Sequence, residues 1–97
     1  MITLDDCIAL CGLTEDEVLA IAEHERVPPV AAAALGSFLM QQPRGTELLR
    51  DIIVDDIRRA QTRRDVRHVV QLLHVLHHFL ASHPEARPQA PGWSRTL

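Results

Sequence analysis

The sequence contains no tyrosine and no lysine, and only 3% of its 97 residues are aromatic. No apolar run approaches the roughly 20 residues that a membrane-spanning helix needs, so we expect no contact with the bilayer interior. No stretch alternates apolar and polar residues with the β-branched and aromatic side chains that strands favour. The scarcity of aromatic residues also leaves no platform on which nucleic acid bases could stack. These absences favour an all-α protein that binds neither membrane nor nucleic acid.

Sequence motifs of several enzyme classes are absent as well. The chain has no Gly-rich phosphate loop, no G-x-S-x-G sequence and no H-E-x-x-H zinc-protease motif. We therefore assign no catalytic residue and no cofactor, and we expect a protein that is not an enzyme. Residues 1–6 lack the basic start and apolar stretch of a secretion signal, which predicts a cytoplasmic protein whose Cys7 and Cys11 are reduced thiols.

Capping residues mark the starts of several helices. Thr14 and Glu17 have the spacing of a capping box, and the residues on either side of this pair can form a hydrophobic staple. Thr46 and Asp65 are placed as caps of two later helices. Prolines and glycines supply most other boundaries. The sequence therefore predicts a compact all-α bundle without a sheet, made of five helices at residues 4–11, 15–25, 29–41, 47–62 and 65–82.

The folded domain is predicted to cover residues 1–83, and residues 84–97 are predicted to form a flexible tail. The tail is rich in proline and has no helical periodicity, so it lacks the apolar pattern that would pack it onto a core. A lone tryptophan, Trp93, can fold back onto the domain or contact a partner, but the composition around it favours mobility.

The fifth predicted helix has more apolar surface than one neighbouring helix can cover. At about 100° per residue, its apolar arc extends over more than half of the helix circumference. We interpret the excess as a contact with a second subunit, and a central position in the bundle is the alternative. Leu72, Val75 and Phe79 are the expected interaction residues on this arc. The sequence therefore predicts a homodimer.

Charge is divided unevenly along the chain. Residues 1–56 carry eleven acidic residues and three arginines, whereas residues 57–97 carry seven arginines and two acidic residues. Their net charges are therefore −8 and +5. Such an asymmetry can be neutralised within the fold or between copies of the chain. Five of the arginines, here called the arginine knob, cluster near the start of the fifth helix: Arg58, Arg59, Arg63, Arg64 and Arg67.

Histidines are concentrated in the fifth helix, and Asp56 lies on the apolar side of the fourth. His74 and His78 are one turn apart, a spacing that can chelate a metal ion. His77 falls within the apolar arc, so we expect it to be buried. Because a buried aspartate is unfavourable unless it is paired, we expect Asp56 and His77 to form a polar pair that fixes helix register. The alternative is a metal-binding protein with His74, His77, His78 and Asp56 as ligands.

The string from residue 11 to residue 25, followed by Pro28 and residues 34–39, resembles short helical proteins of proteobacteria that have no assigned activity. The resemblance implies a bacterial cytoplasmic protein and transfers no functional residue. The wide apolar arc and the charge asymmetry lead us to expect a non-enzymatic interaction or regulatory module. This module is expected to self-associate and to bind another protein through the acidic second helix or the arginine knob.

Overall fold

The computed structural model describes residues 12–88, and this part of the chain forms four α-helices. They are α1 (Glu15–Glu25), α2 (Pro29–Met40), α3 (Gly45–Thr62) and α4 (Val66–Ser82), and a short 3₁₀ helix, Pro84–Ala86, follows them. They correspond to the second to fifth predicted helices. No strand occurs among the described residues, so the all-α prediction is confirmed there, with four helices rather than five. The predicted helix at residues 4–11, with Cys7 and Cys11, lies outside the described residues.

The capping box at the start of α1 is confirmed. The Glu17 backbone N–H donates to Thr14 Oγ1 at 3.2 Å, and the Thr14 backbone N–H donates to Glu17 Oε1 at 2.9 Å. The flanking Leu13 and Val18 are both buried, as a hydrophobic staple requires. At the other end of α1, Arg26 adopts a left-handed conformation with φ 56° and donates its N–H to the Ala22 carbonyl. Both ends of α1 are therefore set by local interactions.

Two glycines allow α2 to pack tightly against its neighbours. A Cβ on Gly36 would lie only 2.7 Å from Leu13 Cδ1, so glycine lets α1 and α2 approach closely. A Cβ on Gly45 would lie 1.6 Å from the Leu39 carbonyl oxygen, at the junction of α2 and α3. This close junction starts α3 at Gly45, two residues before the predicted start. The prediction that Thr46 caps this helix is therefore wrong.

α3 lies at the centre of the described bundle and contacts α1, α2, α4 and the 3₁₀ helix. Its buried residues recur every three or four positions, so they form one inward stripe. The stripe consists of Leu49, Ile53, Asp56, Ile57 and Ala60. Leu72 and Phe79 from α4 and Val18 and Ile21 from α1 complete the same core. No described helix combines the length and apolar character needed to cross a bilayer.

The packed body extends beyond the predicted domain boundary at residue 83. Ala86 has no exposed surface, and its carbonyl oxygen accepts a hydrogen bond from Arg50 Nη1 at 2.7 Å. Arg87 Nε also donates to the Leu80 carbonyl at 3.3 Å. Residues 84–86 therefore belong to the folded body, whereas we predicted that the tail begins at residue 84. Residues 89–97, including Trp93, lie outside the described residues.

Candidate functional site

One side of α4 presents a row of apolar side chains at the surface. Val66 is 72% exposed, Val70 is 48% exposed and Leu73 is 49% exposed. At about 100° per residue, these three positions and His77 fall within an arc of about 60°. His77 is exposed as well. We call these four residues the α4 face.

The opposite side of α4 packs into the core of the same chain. Leu72 and Phe79 are 3% and 0% exposed, and they lie about 140° around the helix from the α4 face. Their predicted role in a subunit contact is therefore wrong, because contacts within the chain already bury them. Val75 is half-buried at the edge of the core. α4 does have large apolar residues that its neighbours leave exposed, but these are Val66, Val70 and Leu73 of the α4 face.

The predicted pair of Asp56 and His77 does not form. Asp56 has no exposed surface, whereas His77 lies on the exposed side of α4. The two arcs of α4 are both apolar in sequence, and packing places the arc with Leu72 and Phe79 against α3. That orientation turns His77 outward and leaves Asp56 to be accommodated by other side chains.

The Asp56 carboxylate is buried and forms no hydrogen bond within residues 12–88. Neither of its oxygens has a partner among the residues that the structure describes. Burial is the main cause that raises the pKa of Asp56 to about 6, and the negative charge of Glu23 acts in the same direction. His24 and Arg59 oppose this shift. Because desolvation disfavours the charged form, Asp56 keeps its proton to a higher pH than an ordinary aspartate does.

The polar pairing that we assigned to Asp56 is made by its neighbour in sequence, Asp55. Asp55 Oδ2 lies 2.8 Å from His24 Nε2 and 3.2 Å from Arg59 Nη2. Arg59 Nη1 also donates to the backbone oxygen of His24 at 3.5 Å. These contacts join the end of α1 to α3. Sequence reasoning missed them, because a charged residue on the polar side of a helix resembles an ordinary solvated residue.

The arginine knob lies where α3 ends and α4 begins, and all five of its residues are exposed. Arg59 is paired with Asp55, as described above. The other four, Arg58, Arg63, Arg64 and Arg67, form no ion pair with another described residue. Arg63, Arg64 and Arg67, which lie within three residues of Val66, therefore place unneutralised positive charge beside that end of the α4 face.

A cleft of about 620 Å³ separates the side of α4 that carries Gln71 and His78 from α1. Leu19, Leu72 and Val75 contribute apolar walls. At its rim, His68 contacts Glu23 through Nε2 and lies 3.2 Å from Gln71 Oε1 through Nδ1. The hydrogen bond with Gln71 and the contact with Glu23 raise the pKa of His68. This contact stabilises the pairing of α1 with α4 when His68 is protonated.

The four predicted metal ligands are not brought together. His74 and His78 line the cleft, His77 lies on the α4 face, and Asp56 is buried on the inner side of α3. Within residues 12–88, no three histidine, cysteine, aspartate or glutamate side chains are placed to hold one metal ion. The predicted four-ligand site is therefore not assembled in this part of the chain.

Comparison with known proteins does not assign this chain to a family. No protein-family model matches it, and no curated protein or solved structure is significantly similar to it. The described part of the chain has three distinctive features. Two are on its surface, the apolar α4 face and the arginine knob, and the third is the buried carboxylate of Asp56.

Proposed function

We propose that this protein is a non-enzymatic interaction module that forms a homodimer through the α4 face. The observation that carries the proposal is the exposure of Val66, Val70 and Leu73, at 72%, 48% and 49%, along one side of a helix. Contiguous exposed apolar surface is typical of protein interaction sites. The spacing of four and then three residues is also that of a seam between two packed helices. We place this module in the cytoplasm.

The charges on α4 favour an antiparallel arrangement of the two copies. In a parallel pair, Arg63, Arg64 and Arg67 would lie beside the same residues of the second copy and repel them. In an antiparallel pair, Arg67 approaches the end of α4 in the second copy, where backbone carbonyls carry partial negative charge and Glu85 is exposed. Leu73 then meets Leu73 of the second copy near the two-fold axis, and Val70 lies beside His77.

The arginine knob supports a second contact, with an acidic segment of another protein. Four of its arginines lack a carboxylate partner among the described residues, so they are free to bind one. Two of the five acidic residues of α1 are less available, because Glu17 accepts a hydrogen bond from Thr14 and Glu23 contacts His68. Replacing Arg58 and Arg63 by alanine should weaken binding of polyglutamate, measured by fluorescence anisotropy, and unchanged binding would contradict this contact.

Leu73→Glu tests the α4 contact. The substitution places a carboxylate in the middle of the α4 face, and Leu73 is exposed enough for the monomer to keep its fold. We expect it to halve the mass of the wild-type assembly in sedimentation equilibrium experiments. His78→Glu, on the polar side of the same helix, is the matched control and should leave the mass unchanged. A wild-type protein that sediments as a 10.9 kDa monomer throughout a micromolar concentration series would refute the homodimer.

A further inference from the structure

α2 is the most apolar of the four described helices and contains no charged residue. Its inner side is buried against the bundle, yet its outer side is also apolar. Val30 is 55% exposed and Phe38 is 58% exposed, and Ala31 and Ala34 are exposed between them. We call these four residues the α2 face. Val30, Ala34 and Phe38 are four residues apart, so they follow one side of the helix.

The α2 face continues into a groove of about 530 Å³ between α2 and α3. Leu35 and Leu39 from α2 and Leu48 and Ile52 from α3 give the groove apolar walls. Leu48 is itself 47% exposed. All charged residues that line the groove come from α1 and α3. The exposed apolar surface is therefore larger than one row of side chains, and its α2 side is free of charge.

We propose that the α2 face binds the α2 face of a second copy of this chain. The absence of charge supports this choice of partner, because pairing α2 with itself brings no like charges together and leaves no charged group of that helix desolvated. A charged partner helix would find no counter-charge on α2. The proposal concerns a surface separate from the α4 face and does not depend on that contact.

The arrangement of large and small residues makes the α2 face self-complementary. Ala34 is at the centre, Phe38 lies one turn to one side, and Ala31 lies about one turn to the other. When two α2 helices cross in antiparallel orientation at Ala34, the small side chains allow a close approach of the two backbones. Phe38 of each copy then lies over Ala31 of the other. A two-fold interface requires this kind of reciprocal fit.

Occupation of both faces would produce an assembly larger than a dimer. No residue of α2 comes near α4 within the described chain, so one face can be covered while the other is in use. Two different two-fold contacts on one chain connect four copies when the assembly closes. We therefore expect a tetramer with four times the 10.9 kDa mass of one chain.

Phe38→Glu and Leu73→Glu, singly and together, test the two faces independently. We expect each single variant to halve the wild-type mass in sedimentation equilibrium experiments and the double variant to be a monomer. The dissociation constant of the affected contact should rise at least about 30-fold, as for a residue central to an interface. Gln61→Glu, at an exposed site on α3, is the control and should leave the mass unchanged.

The outcomes separate the two proposals. If Phe38→Glu keeps the wild-type mass, the α2 contact is overturned, whatever Leu73→Glu does. If Leu73→Glu keeps the wild-type mass while Phe38→Glu gives a monomer, the α4 contact is overturned and the α2 contact stands. Circular dichroism of each variant shows whether the fold is kept, which we expect because both replaced side chains are exposed.

Ala34→Leu distinguishes a fitted contact from general apolar adhesion. Leucine favours a helix and adds apolar surface, but it occupies the space where the two helices must approach. We expect the α2 contact to weaken roughly 5- to 150-fold, the range for an overpacked site. Association that strengthens in Ala34→Leu would show that the surface adheres without the proposed fit, and it would overturn the proposal.

Discussion

Replacing Asp56 by asparagine should stabilise the fold at neutral pH. The side chain is fully buried on α3, and neither carboxylate oxygen has a hydrogen-bond partner among the described residues. An ionised carboxylate in this position is therefore unfavourable, and the neutral amide of asparagine has nearly the same shape. The stabilisation should depend on pH, because Asp56 itself becomes neutral in acid.

The size of the effect follows from the pKa of Asp56, which rises from its ordinary value of 3.8 to about 6 in the folded chain. Each tenfold difference in proton affinity corresponds to about 1.4 kcal/mol, so full ionisation lowers the free energy of unfolding by about 3 kcal/mol. The folded state binds the proton more tightly than the unfolded state. The contribution of Asp56 is therefore fully present below about pH 4 and is lost as the pH rises through about 6. About half of this loss is complete at about pH 5.

Urea unfolding of the wild type and Asp56→Asn at about pH 5 and about pH 7.5 measures this difference. The advantage of the variant should grow by about 1.4 kcal/mol between the two pH values, since any penalty from burying the amide is the same at both. The Phe38→Glu, Leu73→Glu background removes the contribution of self-association. Asp51→Asn, at an exposed carboxylate of the same helix, should show no such growth. An Asp56→Asn advantage that is equal at both pH values, or that shrinks at the higher one, would refute the reasoning.

Two further predictions concern helix packing and the α4 face. Gly36→Ala should lower the free energy of unfolding by about 1 to 3 kcal/mol, because the new Cβ meets side chains that can move. Gly45→Ala should lower it more, because its new Cβ meets a backbone carbonyl. A larger loss for Gly36→Ala than for Gly45→Ala in thermal unfolding would contradict this packing. His77→Leu should lower the dissociation constant of the α4 contact about tenfold, because leucine completes the apolar row. His78→Leu, on the polar side of α4, should leave that constant unchanged. Equal effects of the two variants in sedimentation experiments would indicate general apolar adhesion instead.

Local interactions explain which parts of the fold were predictable. The boundaries of α1 depend on Thr14, Glu17 and the nearby prolines, which act within a few residues of one another, and the prediction matched the structure. Asp65 was also predicted correctly, since its side chain accepts a hydrogen bond from the His68 backbone at 3.2 Å. The start of α3 at Gly45 depends on a close contact with the last turn of α2. No side chain caps this start, so the local sequence does not predict it.

The candidate site was less predictable, because α4 has two apolar arcs with the same periodicity. The sequence shows that both exist, but packing against α3 decides that Leu72 and Phe79 are covered while Leu73 is exposed. The same packing places His77 on the exposed side of α4. The burial of Asp56 was predicted from its apolar neighbours. That no side chain of the described helices forms a hydrogen bond with it depends on how those side chains are oriented, which periodicity does not specify.

The contact between Arg50 and Ala86 has a practical consequence for engineering the chain. A protein shortened after Ser82, where the last long helix ends, would lose the buried Ala86 methyl group and leave the guanidinium of Arg50 without its carbonyl acceptor. Such a truncation would expose one end of the core to solvent, although α1 to α4 would all remain in the chain. Affinity tags and cleavage sites are therefore better attached beyond Pro88 than at the end of α4.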